Sequence, residues 1–152
     1  MRSAPSAGIL SQKSRYALQA LLVLARAGPG QTLRIGAIAE GEAIPKKFLE
    51  QILLDLKRAG IVDSRRGQKG GYLLLRRPQA VSLGDVLRAT DGTPLPAASR
   101  AGENAASHAL SRVFARVAAA SAKILDGTTL ADVLSEASGQ GDARPSIILV
   151  KR

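Results

Sequence analysis

The chain has 152 residues, 22 Lys+Arg against 12 Asp+Glu for a net charge of +10, and no cysteine. Its length suffices for one compact domain with a real core, or for a small head plus a long dimer-forming helix, and a hydrophobic share of 45% is too high for a disordered chain. Disulfides, thiolate metal sites and cysteine nucleophiles are excluded, and four aromatics in an Ala/Leu/Val/Ile background favour helices over an all-β core.

Residues 1–8 are a loose lead. They are not a signal peptide, because the apolar stretch after them is broken by Gln12, Lys13 and Arg15. From Ile9 to Ala27 the apolar spacing predicts a helix, stopped by Gly28, Pro29 and Gly30. A second, short helix covers 33–41 (Leu33, Ile35, Ile38, Ala39). Pro45 suits the first position of a third helix that runs to about Ala59, with Phe48, Leu49, Ile52, Leu53 and Leu56 as its inward stripe and Gly60 as its end. Ile61–Ser64 and Tyr72–Leu75 predict the strands of a hairpin. Between them Arg65, Arg66, Gly67, Gln68, Lys69, Gly70 and Gly71 make a basic, glycine-rich tip, and Pro78 ends the pairing. Three helices followed by such a hairpin make a helix-turn-helix with a wing.

Ser82 and Asp85 predict a capping box for a short helix to about Thr90. Residues 91–104, rich in Gly, Pro, Ala and Ser, are a loop. A long helix follows from about Ala105 to Leu125, with a spine of Leu110, Val113, Phe114, Val117, Ala120 and Ile124. Thr129 caps a last helix carrying Leu130, Val133 and Leu134. Beyond a glycine-rich break, Ile147–Val150 is either an added strand or a sticky end. No stretch reaches membrane-span length, so a cytoplasmic protein without membrane contact is expected. The fold class is mainly α with a small β-hairpin wing.

The basic charge is uneven. Residues 1–78 carry 14 Lys+Arg and 5 Asp+Glu, whereas residues 79–152 carry 8 and 7. Charge gathered in one half is the footprint of a polyanion binder. On the third helix Lys46, Lys47, Glu50 and Gln51 lie opposite the Phe48/Ile52/Leu56 stripe. Gln51 can bond an adenine edge in bidentate fashion and Glu50 can accept from cytosine N4. A salt bridge from Glu50 to Lys46 or Lys47 is the alternative. Arg65, Arg66, Gln68 and Lys69 crown the hairpin, its glycines allow close approach to a duplex, and arginine gains in a narrow A·T minor groove. Ser11, Gln12, Lys13, Ser14 and Arg15 open the first helix, whose free N–H groups suit phosphate. Tyr16 is a core residue or a single phosphate contact. So few aromatics argue against single-strand stacking.

In order and interval these motifs resemble the Rrf-two (Rrf2) family of bacterial regulators, IscR/NsrR/CymR-like. They are Lys13/Tyr16/Ala17/Leu18, Ile38/Ala39/Glu40, the run from Pro45 to Gly60, the run from Arg66 to Tyr72, Ser82/Asp85/Val86, and Thr129 to Val133. Together they span roughly residues 9–136. The resemblance implies a winged helix-turn-helix plus a long C-terminal dimerisation helix. Four segments follow: a flexible lead at 1–8, a DNA-binding domain at 9–80, linker and dimerisation helices at 81–136, and a tail at 137–152. It implies a homodimer on double-stranded DNA through Leu110, Val113, Phe114, Val117 and Ile124, with Arg66 in the minor groove. It also implies a repressor reading a pseudo-palindromic operator with the 45–59 helix and the 65–71 wing. Many members hold a [2Fe–2S] cluster on three cysteines. Here those places fall near Thr93, Ser99 and Ala105, so no cofactor is expected, and His108, in the place of a histidine ligand, is a solvated or hydrogen-bonded helix-start residue. The signal is then a small-molecule or protein effector, or protein level. In the alternative reading a partner protein controls the regulator, as in CymR-like members.

Other classes fit poorly. The chain has one histidine, no phosphate-cradling loop and no convergent carboxylate pair, which argues against an enzyme. The deep groove of duplex RNA does not admit a recognition helix.

Overall fold

A computed structural model describes residues 10–92 and 104–139. Helix α1 (Gln12–Ala27) begins where the Ser11 hydroxyl accepts from the Ser14 N–H at 3.0 Å, three residues later than the apolar pattern suggests, and it ends at Gly28. Ile9, the expected start of that helix, and the expected lead at 1–8 lie outside the described residues, as do 93–103 of the expected loop and the apolar run at 147–150.

Helix α2 (Ile35–Gly41) is shorter than expected at its start. Leu33 is extended instead, exchanging two 2.8 Å backbone hydrogen bonds with Tyr72. Helix α3 (Lys46–Arg58) follows, with Pro45 in the N-cap position rather than at the first helical residue. Leu49, Ile52, Leu53 and Leu56 form its buried i, i+3, i+4, i+7 stripe. Phe48 does not belong to that stripe. It sits 40% exposed at the stripe's edge, with its ring edge-on to Tyr16 at 5.7 Å. At the other end Gly60 takes φ +71, and bonds from the Gly60 N–H to the Lys57 carbonyl and from the Ile61 N–H to the Leu56 carbonyl, both 3.0 Å, satisfy the last turn.

Strands β1 (Val62–Arg65) and β2 (Gly71–Leu74) pair antiparallel, Val62 opposite Leu74 and Arg65 opposite Gly71. The pairing runs one residue nearer the tip than the sequence suggests, so Arg65 closes a strand instead of opening the turn. A 3-10 turn (Pro78–Ala80) leads to α4 (Leu83–Asp91), whose Ser82/Asp85 capping box is present in both directions. The long α5 (Ala105–Gly127) and α6 (Leu130–Ala137) complete the described chain, α6 opening on a second capping box between Thr129 and Asp132.

One apolar core joins these pieces. Ala17, Leu21 and Leu24 of α1 meet Ile38, the α3 stripe, Ile61 and Val62. Val81, Val86 and Leu130 enter the same core from beyond residue 80, and Leu130 is fully buried. Each such aliphatic contributes about 1.5–3 kcal/mol over an exposed one. The segment before α4 is also stitched to the start of α6 by bonds from the Leu83 N–H to the Thr128 carbonyl and from the Leu130 N–H to the Val81 carbonyl. No helix among the described residues is long and apolar enough to cross a membrane.

Candidate nucleic-acid interface

With the stripe of α3 turned inward, Lys46, Lys47, Glu50 and Gln51 stand exposed on its other side. Leu54, 41% exposed, shares the Lys47/Glu50/Gln51 face and adds an apolar group of the kind that meets a thymine methyl. Hydropathy reading assigned only polar side chains to that face and missed it. Glu50 forms no ion pair with Lys46 or Lys47, so its carboxylate is not neutralised within the helix.

Gln51 is held. Its Nε2 donates to Asp55 Oδ1 at 3.1 Å, while Lys13 Nζ lies 2.7 Å from Asp55 Oδ2 and Arg58 Nη1 3.7 Å from Oδ1. Asp55 thus joins the first turn of α1 to the middle of α3. The hydrogen bond from Lys13 holds its carboxyl below the ordinary value of 3.8. Sequence reasoning overlooked Asp55; its i+4 spacing from Gln51 was the only available signal, since Lys13 is remote in sequence.

At the start of α1, Ser11, Gln12 and Arg15 are exposed, but the hydroxyls of Ser11 and Ser14 are engaged within the chain. Ser14 is fully buried; its hydroxyl meets Thr90 Oγ1 at 2.7 Å and donates to the Asp91 carboxylate. Ser11 donates to the same Asp91 oxygen at 2.7 Å. The Asp91 carboxylate therefore takes the hydroxyls at this helix terminus, and a phosphate is left with the Gln12 and Lys13 N–H groups and the side chains of Gln12 and Arg15. Tyr16 is half-buried against Phe48.

Arg65, Arg66, Gln68 and Lys69 are all exposed on the wing. The tip is braced from the α1–α2 connection: Thr32 Oγ1 donates to the Lys69 carbonyl at 2.7 Å, and Arg34 Nη2 to the Gln68 carbonyl at 3.0 Å. Arg34, absent from the sequence reading, brings another positive charge to the wing tip. Lys57 Nζ reaches Ser64 Oγ at 2.6 Å and Asp63 Oδ1 at 3.5 Å, tying the end of α3 to β1.

Two of the tip glycines answer a need inside the fold. A Cβ on Gly70 would stand 2.6 Å from the Arg65 carbonyl oxygen, and one on Gly71 (φ +141) 2.5 Å from that of Leu33. These two glycines let the hairpin close on itself and on residue 33; of the tip glycines, only Gly67 (φ +101) faces open space.

On α5, Leu110, Val113, Phe114, Val117 and Ile124 are each between 44% and 58% exposed. Spaced along one helical face, they form an apolar strip with no cover among the described residues. His108 is exposed near the start of the helix.

Residues 10–136 match the family model for Rrf2, described as an iron-dependent transcriptional regulator. An rrf2-like HTH-type transcriptional regulator of Rhodobacter capsulatus is 42% identical over 139 residues, covering 84% of this chain and 93% of that protein. CymR of Bacillus subtilis is 35% identical, covering 88% and 95%. Among solved structures, that of B. subtilis CymR, the global cysteine regulator of that organism, superposes with a TM-score of 0.72 over 84% of this chain and 96% of that one, at 31% identity. IscR of T. potens superposes with 0.71 over 93% and 96%, at 29% identity.

The iron named in that description does not fit the donors of this chain when taken as a thiolate-held cluster. Such clusters are held chiefly by cysteine, the chain has none, and Ala105 offers a methyl where a ligand is expected. Thr93 and Ser99 lie outside the described residues, and no group of three or more His, Cys, Asp or Glu able to hold a metal occurs among the described ones.

Proposed function

This chain belongs to the Rrf2 family of transcriptional regulators, and we propose that it acts as a homodimeric repressor on a pseudo-palindromic operator without a thiolate-bound cluster. The observation that carries this reading is the exposed row Lys46, Lys47, Glu50, Gln51 on α3, in one body with an arginine-bearing wing. In this reading α3 enters the major groove, where Glu50 finds a cytosine N4 donor and Gln51 an adenine. Arg66, supported by Arg65, Gln68 and Lys69, follows the minor groove or its phosphates. Gln12, Arg15 and the remaining donors of Lys13 meet the backbone.

The apolar strip of α5 supports the dimer: two copies that bury it against each other present two wings and two reading helices, as paired half-sites require. Occupying a promoter in this way blocks transcription. The signal reaches the protein through an effector or a partner, not through a thiolate-bound cluster.

The test is selection of genomic fragments by purified protein, followed by footprinting and in vitro transcription. Two protected half-sites related by a dyad, together with reduced transcript, are expected. Iron and sulfide reconstitution is expected to leave both the visible spectrum and the operator affinity unchanged. A monomer that retains no fragment even in dilute buffer refutes the reading.

A further inference from the structure

We propose that Asp55 is a positioning residue that sets base preference without touching DNA, by fixing which way the Gln51 amide faces. This rests on the reading above, in which Gln51 meets a base edge. An exposed glutamine amide can turn either its oxygen or its nitrogen outward, and the two orientations suit different bases. Asp55 removes that freedom. Its Oδ1 accepts from Gln51 Nε2 at 3.1 Å, and an ionised carboxylate offers acceptors only, so the flipped amide would set oxygen against oxygen.

With one N–H committed, Gln51 is left with its carbonyl oxygen and one N–H. Adenine presents the matching pair in the major groove, the N6 donor beside the N7 acceptor, whereas guanine presents two acceptors. The anchor is itself anchored. Lys13 Nζ, 2.7 Å from the other carboxylate oxygen, and Arg58 Nη1 hold it, and the Asp55 side chain is only 15% exposed. The same contacts keep the carboxyl ionised well below neutral pH and offset a negative charge that would otherwise repel the duplex. Lys13 thus acts on Gln51 through Asp55, across the α1–α3 packing.

The experiment compares full-length Gln51→Ala, Asp55→Ala and Asp55→Asn with the parent, by selection from randomised operators and by affinity for an unrelated duplex. Asp55→Ala is expected to lose roughly tenfold in adenine preference at the same base pair that Gln51→Ala relaxes, the scale of one bidentate contact. Affinity for the unrelated duplex is expected to hold or rise, because a negative charge is gone. The double variant is expected to lose no more at that pair than Gln51→Ala alone. A purely structural strut would instead lower both affinities and leave the base preference intact. If Asp55→Ala melts, isosteric Asp55→Asn serves: its oxygen turns to Lys13 and its amide nitrogen to Gln51, which reverses the glutamine and costs the same preference. Gln51→Ala relaxing a base pair while both Asp55 variants keep it overturns the positioning role alone. Gln51→Ala relaxing no base pair overturns the reading of Gln51 and this inference with it.

Discussion

Replacing Val117 by glutamate tests the paired assembly most sharply, because the fold of the single chain has little stake in that side chain. Val117 is 52% exposed, and glutamate is a better helix former than valine. Full burial of a valine contributes about 1.5–3 kcal/mol, so pairing gains about half of that per copy, or roughly 2 kcal/mol in all. Two carboxylates set into an apolar seam add several kcal/mol more. A total near 5 kcal/mol weakens the dimer by about 10³- to 10⁴-fold. Sedimentation velocity across a micromolar concentration series reads this directly, and far-UV circular dichroism checks the helix content. Operator affinity is expected to fall in parallel, since one head alone reads one half-site. A Val117→Glu protein that sediments as a dimer with unchanged affinity refutes the assigned seam. Loss of helix content would instead show that the side chain supports the single chain.

Arg66→Ala is expected to weaken operator binding by about 1–3 kcal/mol and to reduce the salt slope by about one; an unchanged affinity at every ionic strength removes Arg66 from the interface. Gly71→Ala forces a Cβ to within 2.5 Å of the Leu33 carbonyl oxygen at φ +141, and is expected to cost about 1–3 kcal/mol in thermal unfolding together with operator affinity. A neutral Gly71→Ala would mean that the hairpin does not need residue 33. Leu130→Ala empties a fully buried site and is expected to cost about 2–5 kcal/mol in denaturant titration; a loss under 1 kcal/mol would detach α6 from the common core. Asp55 and Asp85 both titrate below the ordinary 3.8: the Lys13 bond lowers the first, and for the second the bonds from Ser82 and Arg88 outweigh burial, which pushes upward. Their stabilisation is complete above about pH 4 and is lost as the pH falls through the lowered native values, so the denaturant midpoint is expected to drop below pH 4. If Asp55→Asn and Asp85→Asn together leave that drop unchanged, its origin lies elsewhere.

The elements that were legible in the sequence are those decided locally. Both capping boxes, the stop at Gly60, the wing and the long α5 follow from spacing and turn chemistry within a few residues. What was not legible depends on partners far along the chain. Leu33 fits a helical pattern, yet Tyr72 draws it into a bridge. Phe48 fits the apolar stripe by type, yet it lies at the stripe's edge beside Tyr16. Ser14 fits a phosphate-binding helix start, yet Thr90 and Asp91 bury it. Side-chain type and helical face were enough to place Lys47, Glu50, Gln51 and the wing arginines on exposed surface, where the structure has them. Asp55 and Arg34 escaped because they act on neighbours: one on a side-chain amide, the other on the Gln68 carbonyl.

That distinction bears on how the reading face and the α5 strip are joined. Arg76, just past the wing, lies 3.6 Å from Asp85 at the start of α4; Arg88 is 3.1 Å from Asp85 and 2.8 Å from Asp126, near the end of α5. Gly84 leaves room for this arrangement, since a Cβ there would stand 1.9 Å from Asp126 Oδ1. Exposed pairs of this kind contribute only about 0–1 kcal/mol each, so they do not carry the joint's strength. Strength comes from the segments flanking α5, where Val81, Val86 and Leu130 lie inside the common core, while no residue of α5 itself is buried. The ion pairs add a tie: Arg88 links Asp85 of α4 to Asp126 near the end of α5, and in the proposed dimer that tie bears on how the two heads are set for paired half-sites. A joint strong through apolar burial and aligned through surface charge keeps its fold when salt rises, while the alignment is the part that screening weakens.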